Sequence, residues 1–109
     1  MPYDEGLAQR IREAFESRKD ISEKRMFGGI AFLLHGNMCC GVVRSDLMVR
    51  VGPDAYTDSL AQPHARKMDF TGKPMRGMIY VAADGIDDDA ELEAWLARGV
   101  AFSGSLPPK

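Results

Sequence analysis

The sequence lacks the features that define several large classes of protein. Only two of its 109 residues are cysteines, and Cys39 and Cys40 are adjacent, a spacing that strains a disulfide and does not match a C-x-x-C metal motif. The longest nearly apolar run, Gly28–Leu34, is far shorter than the roughly 20 residues that cross a membrane. Residues 1–22 are charged and periodic, without the apolar core of a signal peptide. These absences predict reduced thiols, a cytosolic protein and no membrane contact.

A strong excess of charge of either sign is also missing. The net charge of −2 argues against a protein that binds a polyanion over its whole surface. Hydrophobic residues make up 45% of the chain and charged residues 28%, which is ordinary globular composition. The length predicts a single domain over residues 1–109, with residues 1–4 and 104–109 as tails.

Hydrophobic periodicity predicts the secondary structure. Leu7, Ile11 and Phe15 recur on one face of a first helix that Asp4 can cap. A second, short helix is expected after Pro53, and a last helix has an apolar face that runs from Leu92 to Val100. Strands are expected at residues 28–35, 38–43, 47–51, 68–70 and 78–83.

Short turns join the first three of these strands, with Gly36-Asn37 as the first hairpin turn, so the strands form an antiparallel meander. The expected fold class is therefore α+β. The prediction is a two-layer sandwich in the order α-β-β-β-α-β-β-α, with one antiparallel sheet of about five strands and helices on one face.

Two motifs that could bind a ligand have simpler explanations. Gly28-Gly29 precedes a strand, whereas a phosphate-binding loop leads into a helix. These glycines therefore predict a bulge or the close approach of another backbone. The aspartates of 87–89 lack the spacing of a metal site and can cap the last helix. No metal and no cofactor is predicted.

The adjacent cysteines offer a candidate reactive thiol. Successive side chains of a strand point to opposite faces, so one of Cys39 and Cys40 should be buried and the other exposed. A nucleophilic cysteine needs a base, and His35 is near in sequence, but pairing across the predicted turn places His35 opposite Met38. Core packing with one exposed thiol and a small thiol-dependent enzyme remain alternative hypotheses.

Basic residues supply a candidate surface for nucleic acid or a protein partner. The segment from residue 64 to residue 76 contains four basic residues and one acidic residue. A solvated loop is the alternative, because surface charge is usually solvated. Phosphate binding requires the basic residues to converge on one face. The candidates are Lys24, Arg25, Arg66, Lys67, Lys73 and Arg76.

Seven methionines are many for this length, and several fall on or near predicted strands. Methionine fills irregular gaps in a core, which is the first interpretation. An adaptable partner surface is the second. The methionines concerned are Met38, Met48, Met68, Met75 and Met78.

A resemblance to a known family covers residues 5–102. The run Arg25-Met26-Phe27-Gly28-Gly29 is followed by a hairpin, the strand at 47–51 with its glycine, the strand at 77–83 and the Leu92…Trp95…Arg98 helix. In these elements and their order the chain resembles the TfoX/Sxy N-terminal domain family. The resemblance implies a small α+β sandwich.

The resemblance also implies a function. Full-length members of the family are bacterial regulators of competence for DNA uptake, act with a cyclic-AMP-responsive activator at promoters, and carry a second, helical domain that this chain is expected to lack. The family offers no catalytic residues to transfer. We therefore expect a non-enzymatic, cytosolic regulatory or protein-interaction domain with a partner in transcription. We also expect self-association as a homodimer, through a sheet edge or a helix face. A nucleic-acid-binding module and, after it, a small thiol-dependent enzyme are the alternative functions.

Overall fold

The computed structural model describes residues 3–26, 28–69 and 74–108, apart from the side chains of residues 69 and 74–76. The helices are α1 (Glu5–Ala14), α2 (Tyr56–Leu60) and α3 (Asp89–Ser103). The strands are β1 (Ile21–Met26), β2 (Gly29–Leu34), β3 (Asn37–Val43), β4 (Asp46–Arg50), β5 (Ala65–Asp69) and β6 (Pro74–Val81). Within these ranges no helix is long and apolar enough to span a membrane.

The strands form one antiparallel sheet in the order β1-β2-β3-β4-β6-β5. The α+β class and the order of the predicted elements are confirmed, with six strands instead of about five. The additional strand is β1, which pairs with β2 along its whole length. Its four central residues are exposed and polar, so no apolar alternation marks it in the sequence.

The helices cover one face of the sheet, as predicted. Asp4 caps the N-terminus of α1, where its carboxylate accepts a hydrogen bond from the Leu7 N–H at 3.1 Å, and the buried face of the helix includes Ile11. Asp88 caps α3, where its carboxylate accepts a hydrogen bond from the Ala90 N–H. The main core lies between these helices and the sheet, and the buried side chains from β2, β3, β4 and β6 include Ile30, Phe32, Leu34, Cys40, Val42, Leu47, Val49, Ile79 and Val81.

The first hairpin turn lies one residue earlier than predicted. Leu34 pairs with Asn37, so the turn residues are His35 and Gly36, whose φ angles are 51° and 83°. Both angles suit a two-residue hairpin turn. His35 therefore does not lie opposite Met38. Asn37 instead begins β3, where its buried amide donates a hydrogen bond to the Pro107 carbonyl oxygen at 2.9 Å.

Two glycines allow close approaches between backbones. A Cβ at Gly29 would collide with the Val42 carbonyl oxygen of β3, so the predicted close approach at the glycine pair is confirmed. Gly99 lies within α3, where a Cβ would stand 2.7 Å from the Cys39 carbonyl oxygen. Helix α3 therefore crosses β3 closely at this point and continues to Ser103.

Other boundaries differ from the predictions by a few residues. Helix α2 begins at Tyr56, after the turn that contains Pro53. The predicted strand at 68–70 is the C-terminal part of β5, which lies at the edge of the sheet, and residue 70 lies outside the described residues. Local periodicity constrains the ends of elements weakly, and these shifts are of the usual size.

Candidate functional site

The face of the sheet opposite the helices carries the methionines. Each methionine whose side chain is described belongs to a second buried cluster on this face, and the helix-side core contains none. We call this surface the methionine face. Its members are Met26, Ala31, Met38, Val43, Met48, Met68, Met78 and Tyr80.

The methionine face is partly buried and partly open. Met48 and Met68 are buried, and the Met48 Cε lies over Gly41, where a Cβ would come within 2.7 Å of it. Met26 and Met38 remain partly exposed, as does Leu33, which register places beside Met38 on the same face. No helix among the described elements covers this face, so an apolar surface remains on the β1–β3 half of the sheet.

The predicted basic residues lie on opposite edges of the sheet. Lys24 and Arg25 are on β1, whereas Arg66 and Lys67 are on β5. Five steps between neighbouring strands separate the two edges, roughly 24 Å at the usual spacing. The structure therefore keeps the two pairs apart, and within each pair the two side chains point to opposite faces of the sheet.

Arg66 is also engaged within the chain. Its guanidinium forms an ion pair with Asp46 and lies 5.0 Å from the centroid of the Tyr80 ring. These contacts neutralise its charge and direct it along the methionine face. Lys73 lies outside the described residues, as does the side chain of Arg76.

A β-bulge decides the orientation of the two cysteines. Phe32 pairs with Cys40 and the next residue, Leu33, pairs with Met38, which leaves Cys39 as an extra residue of β3. Both cysteines consequently belong to the helix-side core, and both have 0% relative exposure. The expectation of one buried and one exposed thiol is wrong, because a bulge interrupts the alternation of side chains on which it rested.

The two thiols perturb each other. The hydrogen bond with Cys40 is the main cause that lowers the pKa of Cys39, and the Ser103 hydroxyl acts in the same direction. The same contact, together with burial, raises the pKa of Cys40 well above its ordinary value. Neither sulfur reaches solvent, so the arrangement favours a structural role over a nucleophilic one.

His35 belongs to a surface cluster and does not act as a partner of the thiols. Its Nε2 lies 3.3 Å from the Asp20 carboxylate, which also accepts two hydrogen bonds from Arg18 at 3.0 Å. The hydrogen bond from Arg18 is the main cause of the lowered pKa of Asp20. No hydrogen bond between His35 and either cysteine occurs among the described residues.

The methionine face was the feature least visible in the sequence. The strand at 47–51 alternates Leu47, Val49 and Val51 with Met48, so a second apolar face is already indicated there. The same alternation in β6 places Met78 and Tyr80 together. Combining the strands into one face requires the pairing of β4 with β6.

Comparison with protein families matches residues 13–103 to the TfoX N-terminal domain. The chain belongs to this family. The TfoX N-terminal domain match runs from the last two residues of α1 to the end of α3 and confirms the family resemblance. No curated protein and no solved structure gave a significant match. The family is regulator-like and is not a known enzyme family.

Proposed function

We propose that this protein is a non-enzymatic, cytosolic regulatory domain that binds a protein of the transcription apparatus, as in regulators of competence. The methionine face is its contact surface. The observation that carries the proposal is the segregation of every described methionine side chain to the face without helices. Membership of the TfoX N-terminal domain family supports the regulatory part.

The apolar composition of the second face of the sheet supports this contact. An antiparallel sheet with one solvated face usually alternates apolar and polar residues. Here Met26, Leu33 and Met38 lie on the open face and are only partly buried. Methionine is flexible and polarisable, and it recurs on surfaces that adapt to a partner. A partner that covers this face removes apolar surface from water.

Site-specific photocrosslinking in cells of the source organism tests this proposal. A benzoylphenylalanine replaces Leu33 on the methionine face, and a second variant carries it at the exposed Ala97 of α3 as the matched control. We expect a crosslinked transcription protein from position 33 and none from position 97. Equal crosslinking from both positions, or crosslinks from position 33 to nucleic acid only, contradicts the proposal.

A further inference from the structure

Strand β1 forms an open edge of the sheet. Within the described residues it pairs only with β2 and in regular register, whereas β5 at the opposite edge has a register shift. The His35 N–H donates to the Asp20 carbonyl oxygen at 3.1 Å. Since hydrogen-bonded pairs alternate along antiparallel strands, the backbone N–H and C=O groups of Ile21, Glu23 and Arg25 point away from β2. These groups can pair with a further strand.

We propose that the β1 edge binds an extended acidic segment of a partner protein, which joins the sheet as an additional strand. In this binding mode, hydrogen bonds between main chains supply affinity and pockets for alternate side chains supply specificity. The edge uses backbone groups that the methionine face does not use. Binding here is therefore separate from the proposed contact on that face, and either can occur without the other.

A groove beside the edge can receive alternate side chains of the added segment. It has a volume of about 390 Å³ between the C-terminal end of α1 and β1, with Phe15, Ile21 and Phe32 among its lining residues. Glu23 bonds to Arg12 of α1, so the side chains of Ile21 and Glu23 point to the helix side. Residues of the added strand opposite these two direct their side chains to the same side. An apolar side chain there contacts the aromatic floor.

The charges along β1 favour an acidic segment. The Glu23 carboxylate accepts two hydrogen bonds from Arg12, at 2.9 and 3.0 Å, and is neutralised by them. Lys24 and Arg25 are exposed and form no ion pair within the described part of the chain. Opposite charges directly across a pair of strands stabilise the pairing. Lys24 and Arg25 point to opposite faces of the sheet, and Arg25 shares the helix side with Ile21 and Glu23. Acidic side chains on the other face of the added strand therefore lie opposite Lys24 and complement the edge, while its apolar side chains face the helix side.

A second copy of the chain fits this edge less well. When two β1 strands pair, residues that lie opposite each other point to the same side of the joined sheet. A helix-side residue of one copy therefore pairs with a helix-side residue of the other. The longest antiparallel registers of this kind place Glu23 opposite Glu23 or Lys24 opposite Lys24. In the first register Glu23 is already neutralised by Arg12, and in the second the repulsion between the two Lys24 side chains opposes the attraction between Glu23 and Arg25. Neither register gains the charge complementarity that an acidic segment gives.

Titration of the whole protein with labelled seven-residue peptides tests the proposal. The probe alternates leucine with glutamate, one control has the same composition with the alternation scrambled, and another has lysine in place of glutamate. Fluorescence anisotropy should show tighter binding of the alternating acidic probe than of either control. Hydrogen exchange should show new protection at the amides of Ile21, Glu23 and Arg25, while those of Ser22 and Lys24, already bonded to β2, stay unchanged.

Substitutions on the two edges of the sheet distinguish binding at β1 from a general effect of the protein's net charge. Lys24→Glu should weaken the acidic probe by about fivefold and improve binding of the lysine peptide. Lys67→Glu, on the opposite edge, should change neither. Equal binding of the alternating and scrambled acidic peptides overturns the proposal, as does protection at β5 or protection at β1 caused by dimerisation alone. These results do not depend on crosslinking at Leu33.

Discussion

Replacing Gly99 with alanine is a direct test of how closely α3 packs on the sheet. Alanine at this position would place a Cβ 2.7 Å from the Cys39 carbonyl oxygen and 3.1 Å from its Sγ. The nearest obstacle is backbone, held in a bulge of β3 and unable to rotate away as a side chain could. Helix α3 or strand β3 must therefore shift to accommodate the methyl group.

Two opposing terms set the magnitude of this change. Alanine is preferred over glycine inside a helix by about 1 kcal/mol. Overfilling a packed interface costs about 1–3 kcal/mol, and we expect the upper end here because the Cβ meets the backbone of Cys39. The net expectation for Gly99→Ala is a loss of about 2 kcal/mol in the free energy of unfolding. For a domain of this size, such a loss lowers Tm by roughly 10 °C.

Urea denaturation followed by circular dichroism measures the change as a shift in midpoint. The control is Ala97→Gly, at an exposed position of the same helix, which should lose only the propensity term of about 1 kcal/mol. If Gly99→Ala is as stable as the parent protein or more stable, helix propensity dominates. The inferred close crossing of α3 over Cys39 is then wrong.

Two further predictions concern titratable groups. Because Cys39 and Cys40 are both buried, we expect iodoacetamide at neutral pH to alkylate the native protein at least about a hundredfold more slowly than it alkylates glutathione. Mass spectrometry follows the reaction, and alkylation at the glutathione rate contradicts the burial of the two thiols. The pKa of Asp20 in the folded state lies below its ordinary value of 3.8, chiefly because Arg18 donates hydrogen bonds to its carboxylate. The ionised carboxylate therefore stabilises the fold above pH 3.8, and this stabilisation is lost as the pH falls through the lowered pKa. Asp20→Asn should therefore lower the urea midpoint at neutral pH, with a difference from the parent that shrinks in acid, and a difference independent of pH refutes the ion pair.

The helices and most strands follow from local sequence patterns. The Leu7 and Ile11 spacing and the Asp4 cap are sufficient to place α1, because helix formation depends on neighbours three or four residues apart. Strand β1 could not be found in this way. Its exposed Glu23 and Lys24 show no periodicity, and the strand depends on its pairing with the apolar strand β2.

The candidate sites depended more strongly on long-range pairing. Sequence spacing cannot reveal that Lys24 and Arg66 belong to opposite edges, because the order of strands is decided by contacts between residues distant in the chain. The same applies to Cys39, which the bulge turns toward the helices. Strict alternation predicted an exposed thiol there.

The sequence by itself determined the α+β class, the helix-side core and the similarity to the TfoX N-terminal domain family, since these depend on residue type and short-range order. Only the tertiary structure decided which surfaces are open. It places Met26, Met48 and Met68, from three strands, on one face of the sheet. It also leaves β1 at the edge of the sheet, with the Lys24 side chain exposed. The physical reason is that a surface for binding is a property of paired strands and packed layers, and a single strand does not encode its neighbours.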